Sequence, residues 1–85
     1  MKQQKPIVLY ELAGCPYCQK VIDTLTEIDL EYDSVMVSGK RQQVKDITGG
    51  PTAVPVIQDS NTDTFDWMNE SDDIVEYLHE TYGDN

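Results

Sequence analysis

Two cysteines three residues apart, Cys15 and Cys18, sit between a strand-forming run and a helical pattern. That placement restricts the fold more than any other feature of the chain. Residues 7–12, Ile-Val-Leu-Tyr-Glu-Leu, follow Pro6 and form a short apolar run rich in strand formers, which predicts a buried strand. Residues 16–29 predict a helix, because Cys18, Val21, Ile22, Leu25 and Ile28 recur on one face. Gln19, Lys20, Asp23, Thr24 and Glu27 cover the other face. Proline is tolerated only in a first turn, so Pro16 places the helix start near Cys15.

Residues 32–37 give a second strand, and a strand–helix–strand unit implies parallel pairing. Ser38 is placed to cap a second helix over 39–48, which Gly49, Gly50 and Pro51 end. Residues 54–58 and 64–68 read as a hairpin around the turn at 60–63. Ser71 reads as the N-cap of a last helix, with Asp72 and Asp73 in its first turn. Ile74, Val75, Leu78 and Tyr82 form its apolar stripe, and Gly83 ends it. The order is β-α-β-α-β-β-α: one α/β domain over residues 1–85, a four-stranded mixed sheet flanked by three helices.

Charge narrows the partners. All six bases (Lys2, Lys5, Lys20, Lys40, Arg41 and Lys45) and six acids lie in residues 1–45. Residues 46–85 hold ten acids and no base, so the second half carries the whole net charge of −10. Phosphate contact needs Lys and Arg, so nucleic acid and anionic membrane are poor partners. The acids form either a strongly solvated surface or a docking face for a basic partner. No run approaches the roughly 18 apolar residues of a transmembrane helix.

Four chemistries compete for the cysteines. Structural zinc needs about four nitrogen or sulfur ligands, and the chain offers two cysteines and His79. His79 is therefore read as a surface or packing residue. Leu12-Ala13-Gly14-Cys15 matches a lipid-attachment pattern, but only Ile7 to Tyr10 are uninterrupted apolar residues before Glu11, too few for a signal peptide. A structural disulfide would close so small a loop that it restrains the unfolded chain little. With no secretion signal expected, the compartment is read as cytoplasmic. The fourth chemistry is redox. A C-x-x-C that follows a strand and opens a helix is a thioredoxin-like arrangement. The amide groups and dipole of a helix N-terminus favour an anion at Cys15. Cys18 falls one turn further in, on the apolar side, where its thiol is shielded. Cys15 is thus the expected nucleophile and Cys18 the resolving thiol.

At this point the sequence resembles a known family. Cys15-Pro16-Tyr17-Cys18 is the dithiol motif of glutaredoxins, and the similarity runs over nearly the whole chain. Ala53-Val54-Pro55 resembles the family's T-V-P signature, whose proline is cis and faces the cysteines. Glu70-Ser71-Asp72-Asp73-Ile74, with Tyr77-Leu78 following, resembles the E-S-x-x-I…Y-L segment of glutathione-transferase N-terminal domains. The resemblance implies a thioredoxin-like fold that reduces protein disulfides or glutathione-type mixed disulfides. It implies that Tyr17 lines a groove for the thiol, that the Val54 backbone beside Pro55 pairs with the ligand's cysteine residue, and that Ser71 and Asp72 hold its γ-glutamyl end. The residues support the last point separately. A helix N-terminus suits a carboxylate, acidic side chains suit an ammonium, and a γ-glutamyl group carries both. The sequence departs from the family before the first cysteine, where Glu11-Leu12-Ala13-Gly14 replaces a stretch that commonly carries Lys or Arg. Lys40 or Arg41 would then meet the glycine carboxylate of glutathione, or the native thiol is a γ-glutamylcysteine type that lacks the glycine. Trp67 is read as packing or groove wall.

Several functions follow as expectations. The first is a dithiol oxidoreductase with a glutathione-type thiol as co-substrate, disulfide-containing client proteins as partners and no tightly bound cofactor, acting as a monomer. The second keeps the chemistry but recharges the disulfide from a flavoprotein reductase. The third is a thiol-binding module, either glutathione-transferase-like or an iron–sulfur carrier. A transferase needs a second, helical domain for its electrophile, and the resemblance implies that rigid CPYC sites do not hold clusters.

Overall fold

The computed structural model describes residues 6–37, 42–63 and 65–83. Its elements are β1 (Ile7–Glu11), α1 (Pro16–Ile28), β2 (Tyr32–Met36), α2 (Gln42–Thr48), β3 (Val56–Gln58) and α3 (Ser71–Tyr82). The sheet order is β2-β1-β3. β1 pairs in parallel with β2, Leu9 opposite Ser34, and antiparallel with β3, Leu9 opposite Ile57.

Strand alternation divides the core in two. Ile7, Leu9 and Ile57 pack with Val21 and Leu25 of α1 and Ile74 and Leu78 of α3. On the other face, Val56 packs with Val37 and with Val44 of α2, and Tyr10, Leu12, Val54 and Trp67 close the edge. The sheet therefore lies between α1 with α3 on one side and α2 on the other, and β1 carries the chain through the middle to the cysteines.

The sheet has three strands, not the expected four. Residues 65–68 meet β3 at a single bridge, where Ile57 and Met68 exchange both backbone hydrogen bonds at 2.9 and 3.1 Å. The ladder stops there for two reasons. Pro55 has no N–H to extend it at one end. At the other end, the same register would set Asp59 against Asp66, two like charges, and Asp59 instead turns the chain by accepting the Asn61 N–H at 2.9 Å.

Two further expectations need correction. Thr24, placed on the polar face, is buried, and its hydroxyl is satisfied by donating to the Lys20 carbonyl at 3.1 Å. Ser71 is not the cap of α3 but its first residue. Glu70 is the cap, in extended conformation, with no side-chain hydrogen bond to the helix. The cap expected at Ser38 lies outside the described residues. No described helix is long and apolar enough to cross a membrane.

Candidate functional site

The end of β1 turns into α1 within four residues. Gly14 makes this possible with φ +76°, a conformation that costs a side-chain-bearing residue more than glycine. Cys15 then takes the N-cap position with extended backbone, and its sulfur accepts the Cys18 N–H at 3.2 Å. Pro16 is the first helical residue, as its missing N–H allows. Both cysteines are free thiols, Cys15 half-buried and Cys18 buried.

The two sulfurs differ in kind. Burial pushes the Cys18 thiol up to about 12, and the hydrogen bond with Cys15 adds to the rise, while the Leu12 N–H works against it. Cys18 is thus a shielded, protonated thiol. Cys15 presents its sulfur at the open end of a helix with an amide pointing at it.

Beside the cysteines lies a groove of about 360 Å³. Its walls come from three separate segments: Tyr17 on α1, Ala53, Val54 and Pro55 before β3, and Asn69, Glu70, Ser71 and Asp72 at the start of α3. All five residues expected to hold a thiol ligand (Tyr17, Val54, Pro55, Ser71 and Asp72) share this one groove. Cys15 and Cys18 do not line it, although Tyr17 lies between them in sequence. The Val54–Pro55 bond is cis, and Tyr17 is 61% exposed, its ring open to solvent.

The residues alone did not indicate every part of the wall. Asn69 carries no signal in the sequence. Glu70 is the neighbour of a residue expected at the site and enters the sequence pattern only as the first residue of the Glu70-Ser71 motif. Asp72 is already engaged, since Lys20 of α1 donates to its Oδ1 at 2.7 Å. Trp67 packs into the core beneath α2 and is not part of the groove wall. His79 is exposed on α3. Lys40 and Arg41 lie outside the described residues. Among the described residues, no three His, Cys, Asp or Glu side chains converge as a metal site.

Behind the groove, α3 is tied to the end of β3 by a buried carboxylate. Asp59 accepts from the Tyr77 hydroxyl at 2.5 Å and the Tyr82 hydroxyl at 2.6 Å, and from Asn61. Burial alone would raise Asp59, but these hydrogen bonds outweigh it and hold the carboxyl below its ordinary value.

A family model for the N-terminal domain of glutathione S-transferases matches residues 9–85. Glutaredoxin 1 of Rickettsia felis is 38% identical over 55 residues, covering 60% of this chain and 54% of that protein. The chain thus spans about half the length of the curated relatives it matches. Among solved structures, a Bombyx mori glutathione transferase superposes with a TM-score of 0.82 at 21% identity, covering 100% of this chain and 40% of its own, a likeness of fold. Glutathione transferase Omega 3C of Trametes versicolor gives 0.77 at 26% identity, covering 98% and 36%. The mixed sheet, the three helices and the matched span agree on a thioredoxin-like architecture, and the chain belongs to the glutathione S-transferase N-terminal domain family.

Proposed function

We propose that this chain is a thiol–disulfide oxidoreductase that works with a glutathione-type thiol. The Cys15 thiolate attacks a disulfide sulfur of the client, forming a mixed disulfide and releasing the first client sulfur as a thiol. Cys18 then attacks the Cys15 sulfur, releasing the second client sulfur and leaving an intramolecular disulfide. Two molecules of glutathione-type thiol restore the dithiol and leave joined as their own disulfide. The contrast between the two sulfurs carries this reading: one is half-exposed at a helix N-terminus, the other is buried and protonated.

In this reading the groove holds the thiol. Tyr17 flanks it, the backbone of Val54 beside Pro55 pairs with its cysteine residue, and the start of α3 with Ser71 and Asp72 takes the γ-glutamyl carboxylate and ammonium. The glutaredoxin relatives support a glutathione-linked role. Chemistry of this kind needs reduced cysteines, so the cytoplasm is the compartment we propose, with disulfide-bearing proteins as clients and the monomer as the working unit.

The test is intact mass of a Cys18→Ser variant after mixing with oxidised glutathione or oxidised γ-glutamylcysteine. One adduct on Cys15, removed by the matching thiol, supports the reading and names the thiol. Absence of any adduct while the wild type still cycles would point to recharging by a flavoprotein reductase. The family match favours a second reading, a thiol-binding module of a transferase. That module would retain glutathione without forming an adduct, and Cys15→Ser would not impair it.

A further inference from the structure

Cys15 opens onto a second cavity, of about 280 Å³, that shares no wall residue with the groove at Tyr17 and Pro55. Glu11, Gly14, Cys15, Gln19 and Ile22 are among its walls. Glu11 ends β1 on the side that α1 covers and is only 9% exposed. Its Oε2 accepts a hydrogen bond from the Ser34 hydroxyl of β2. Its Oε1 bonds to no described residue. No side-chain oxygen among the described residues is both buried and unbonded, so Oε1 meets the open space of the cavity. A cavity of that size has room for several water molecules, each needing about 30 Å³, or for a short charged side arm.

The cavity carries charge of one sign. Its wall holds one acid, Glu11, and no base. Gln19 is neutral, and its amide donates to Asp23 at 2.9 Å. Lys20, the one base of α1, is turned to Asp72 of α3 at 2.7 Å. A carboxylate held this far out of water is costly without a counter-charge, and the cavity wall supplies none. The nucleophile beside it adds a second negative charge, since Cys15 reacts as its thiolate. A cation entering the cavity is attracted by both, and an anion is repelled by both.

We propose that this cavity is the client's subsite at Cys15 and that Glu11 selects clients by charge, favouring disulfides with an ammonium or guanidinium group beside the reacting sulfur and rejecting anionic ones. The inference rests on the dithiol reading and names the client class for it. Two separate spaces then divide the work: the groove takes the glutathione-type thiol and the cavity takes the client. In the step itself the Cys15 thiolate bonds to the client sulfur that lies beside the cationic group. The client S–S bond breaks, and the far sulfur leaves with the electron pair and takes a proton from solvent. Glu11 touches only the cation and has no part in the bond changes.

The test mixes reduced Cys18→Ser protein with three small disulfides: cystamine, a dication; bis(2-hydroxyethyl) disulfide, neutral; and 3,3′-dithiodipropionate, a dianion. Acid-quenched intact mass gives the rate of mixed-disulfide formation at Cys15. Each rate is divided by that of the same disulfide with 2-mercaptoethanol, which removes differences between leaving groups. Cystamine should then exceed the neutral disulfide by about tenfold, as one charge-assisted contact allows, and the dianion should be slowest. Adding Glu11→Gln should abolish most of that preference, and Glu11→Asp should keep part of it. Glu27→Gln, which removes an exposed acid elsewhere on α1, should leave it unchanged. A preference that survives Glu11→Gln overturns the inference, as does an equal fall in Glu27→Gln, which marks net charge alone. Equal slowing of all three disulfides in Glu11→Gln marks a structural role and also overturns it. Should the Glu11 variants not fold, equal normalised rates for the dication and the dianion in the Cys18→Ser protein overturn it without them. If none of the three gives an adduct, the dithiol reading itself fails, and the inference with it.

Discussion

Lys20 of α1 and Asp72 of α3 form an ion pair, Nζ to Oδ1 2.7 Å, that joins the cysteine helix to the helix bordering the groove. Both side chains are well exposed, 47% and 85%, and exposed pairs contribute about 0–1 kcal/mol. The pair matters more for what it occupies. In the proposed site Asp72 receives the ammonium of the thiol, and Lys20 already holds that carboxylate. A zwitterionic γ-glutamyl group can replace each partner of the pair with its own opposite charge.

Asp72→Asn should therefore raise KM for the glutathione-type thiol about tenfold, the loss of one charge-assisted hydrogen bond of about 1.4 kcal/mol, with kcat little changed. The melting temperature should move by no more than a few degrees. Steady-state kinetics with a fixed disulfide substrate checks the first point and thermal unfolding the second. A fall in kcat at unchanged KM would show that Asp72 does not hold the ligand.

Alkylation should distinguish the two cysteines. With Cys18 raised to about 12 by burial and its bond to Cys15, iodoacetamide at neutral pH should add one carbamidomethyl group, on Cys15. Peptide mass mapping reads the site. Modification of Cys18 first would contradict the division of labour between the sulfurs.

Asp59 sets an acid limit to stability. Its folded carboxyl is depressed, so its contribution is complete above the unfolded value of about 4 and is lost as pH falls through the folded value. Tyr82 is raised to about 12, chiefly by burial and then by its bond to Asp59, and Tyr77 is raised for the same reasons. Their neutral forms are favoured in the folded state. That contribution is present below the unfolded value of about 10 and is lost as pH rises through the folded values. Melting temperature against pH should show a plateau between these limits. Asp59→Ala, which strands two tyrosine hydroxyls, should cost about 3 kcal/mol in urea unfolding and lower the plateau. A plateau of unchanged height would remove the network from the stability account.

Gly14 should resist replacement for conformational reasons alone. A Cβ there would meet nothing within 4 Å, yet φ is +76°. Gly14→Ala should cost about 1–2 kcal/mol and Gly14→Asn less, since asparagine tolerates the left-handed region better. Denaturant titration of both variants checks the order.

Much of this architecture is legible in the chain. β1, α1, β2 and α3 have periodic apolar patterns and start signals such as Pro16, and the structure places all four within a residue of expectation. Tyr17, Val54 and Pro55 are legible at the groove only through motif resemblance, whereas Ser71 and Asp72 also carry the chemistry of a helix start; these residues meet by topology rather than by spacing. The expected fourth strand reduces to one bridge because Phe65, Trp67 and Met68 have strand-forming chemistry while the pairing register that limits them lies on another strand. Ser71 is a common capping residue, but the chain enters α3 one residue earlier. Asp59 falls between the run at 54–58 and the turn at 60–63 and carries no sequence signal of its own. Its bond to Tyr82, 23 positions away, has no local signature. Glu11 looked like the end of an apolar run and an interruption in place of a cation. Its burial beside Cys15 depends on which way the strand faces.

One consequence concerns the open side of the sheet. β2 is the last strand of the order, and no described strand pairs with its outer edge, where Met36 is 54% exposed. Such an edge is a template for association between molecules, and like charges keep copies apart. The net charge of −10 provides that repulsion at neutral pH and vanishes near the isoelectric point of about 4.1. Asp59 lets go of α3 only lower, as the pH falls through its depressed folded value. Colloidal protection is thus lost while Asp59 still holds the fold, so acidification should end in a precipitate rather than a soluble unfolded chain.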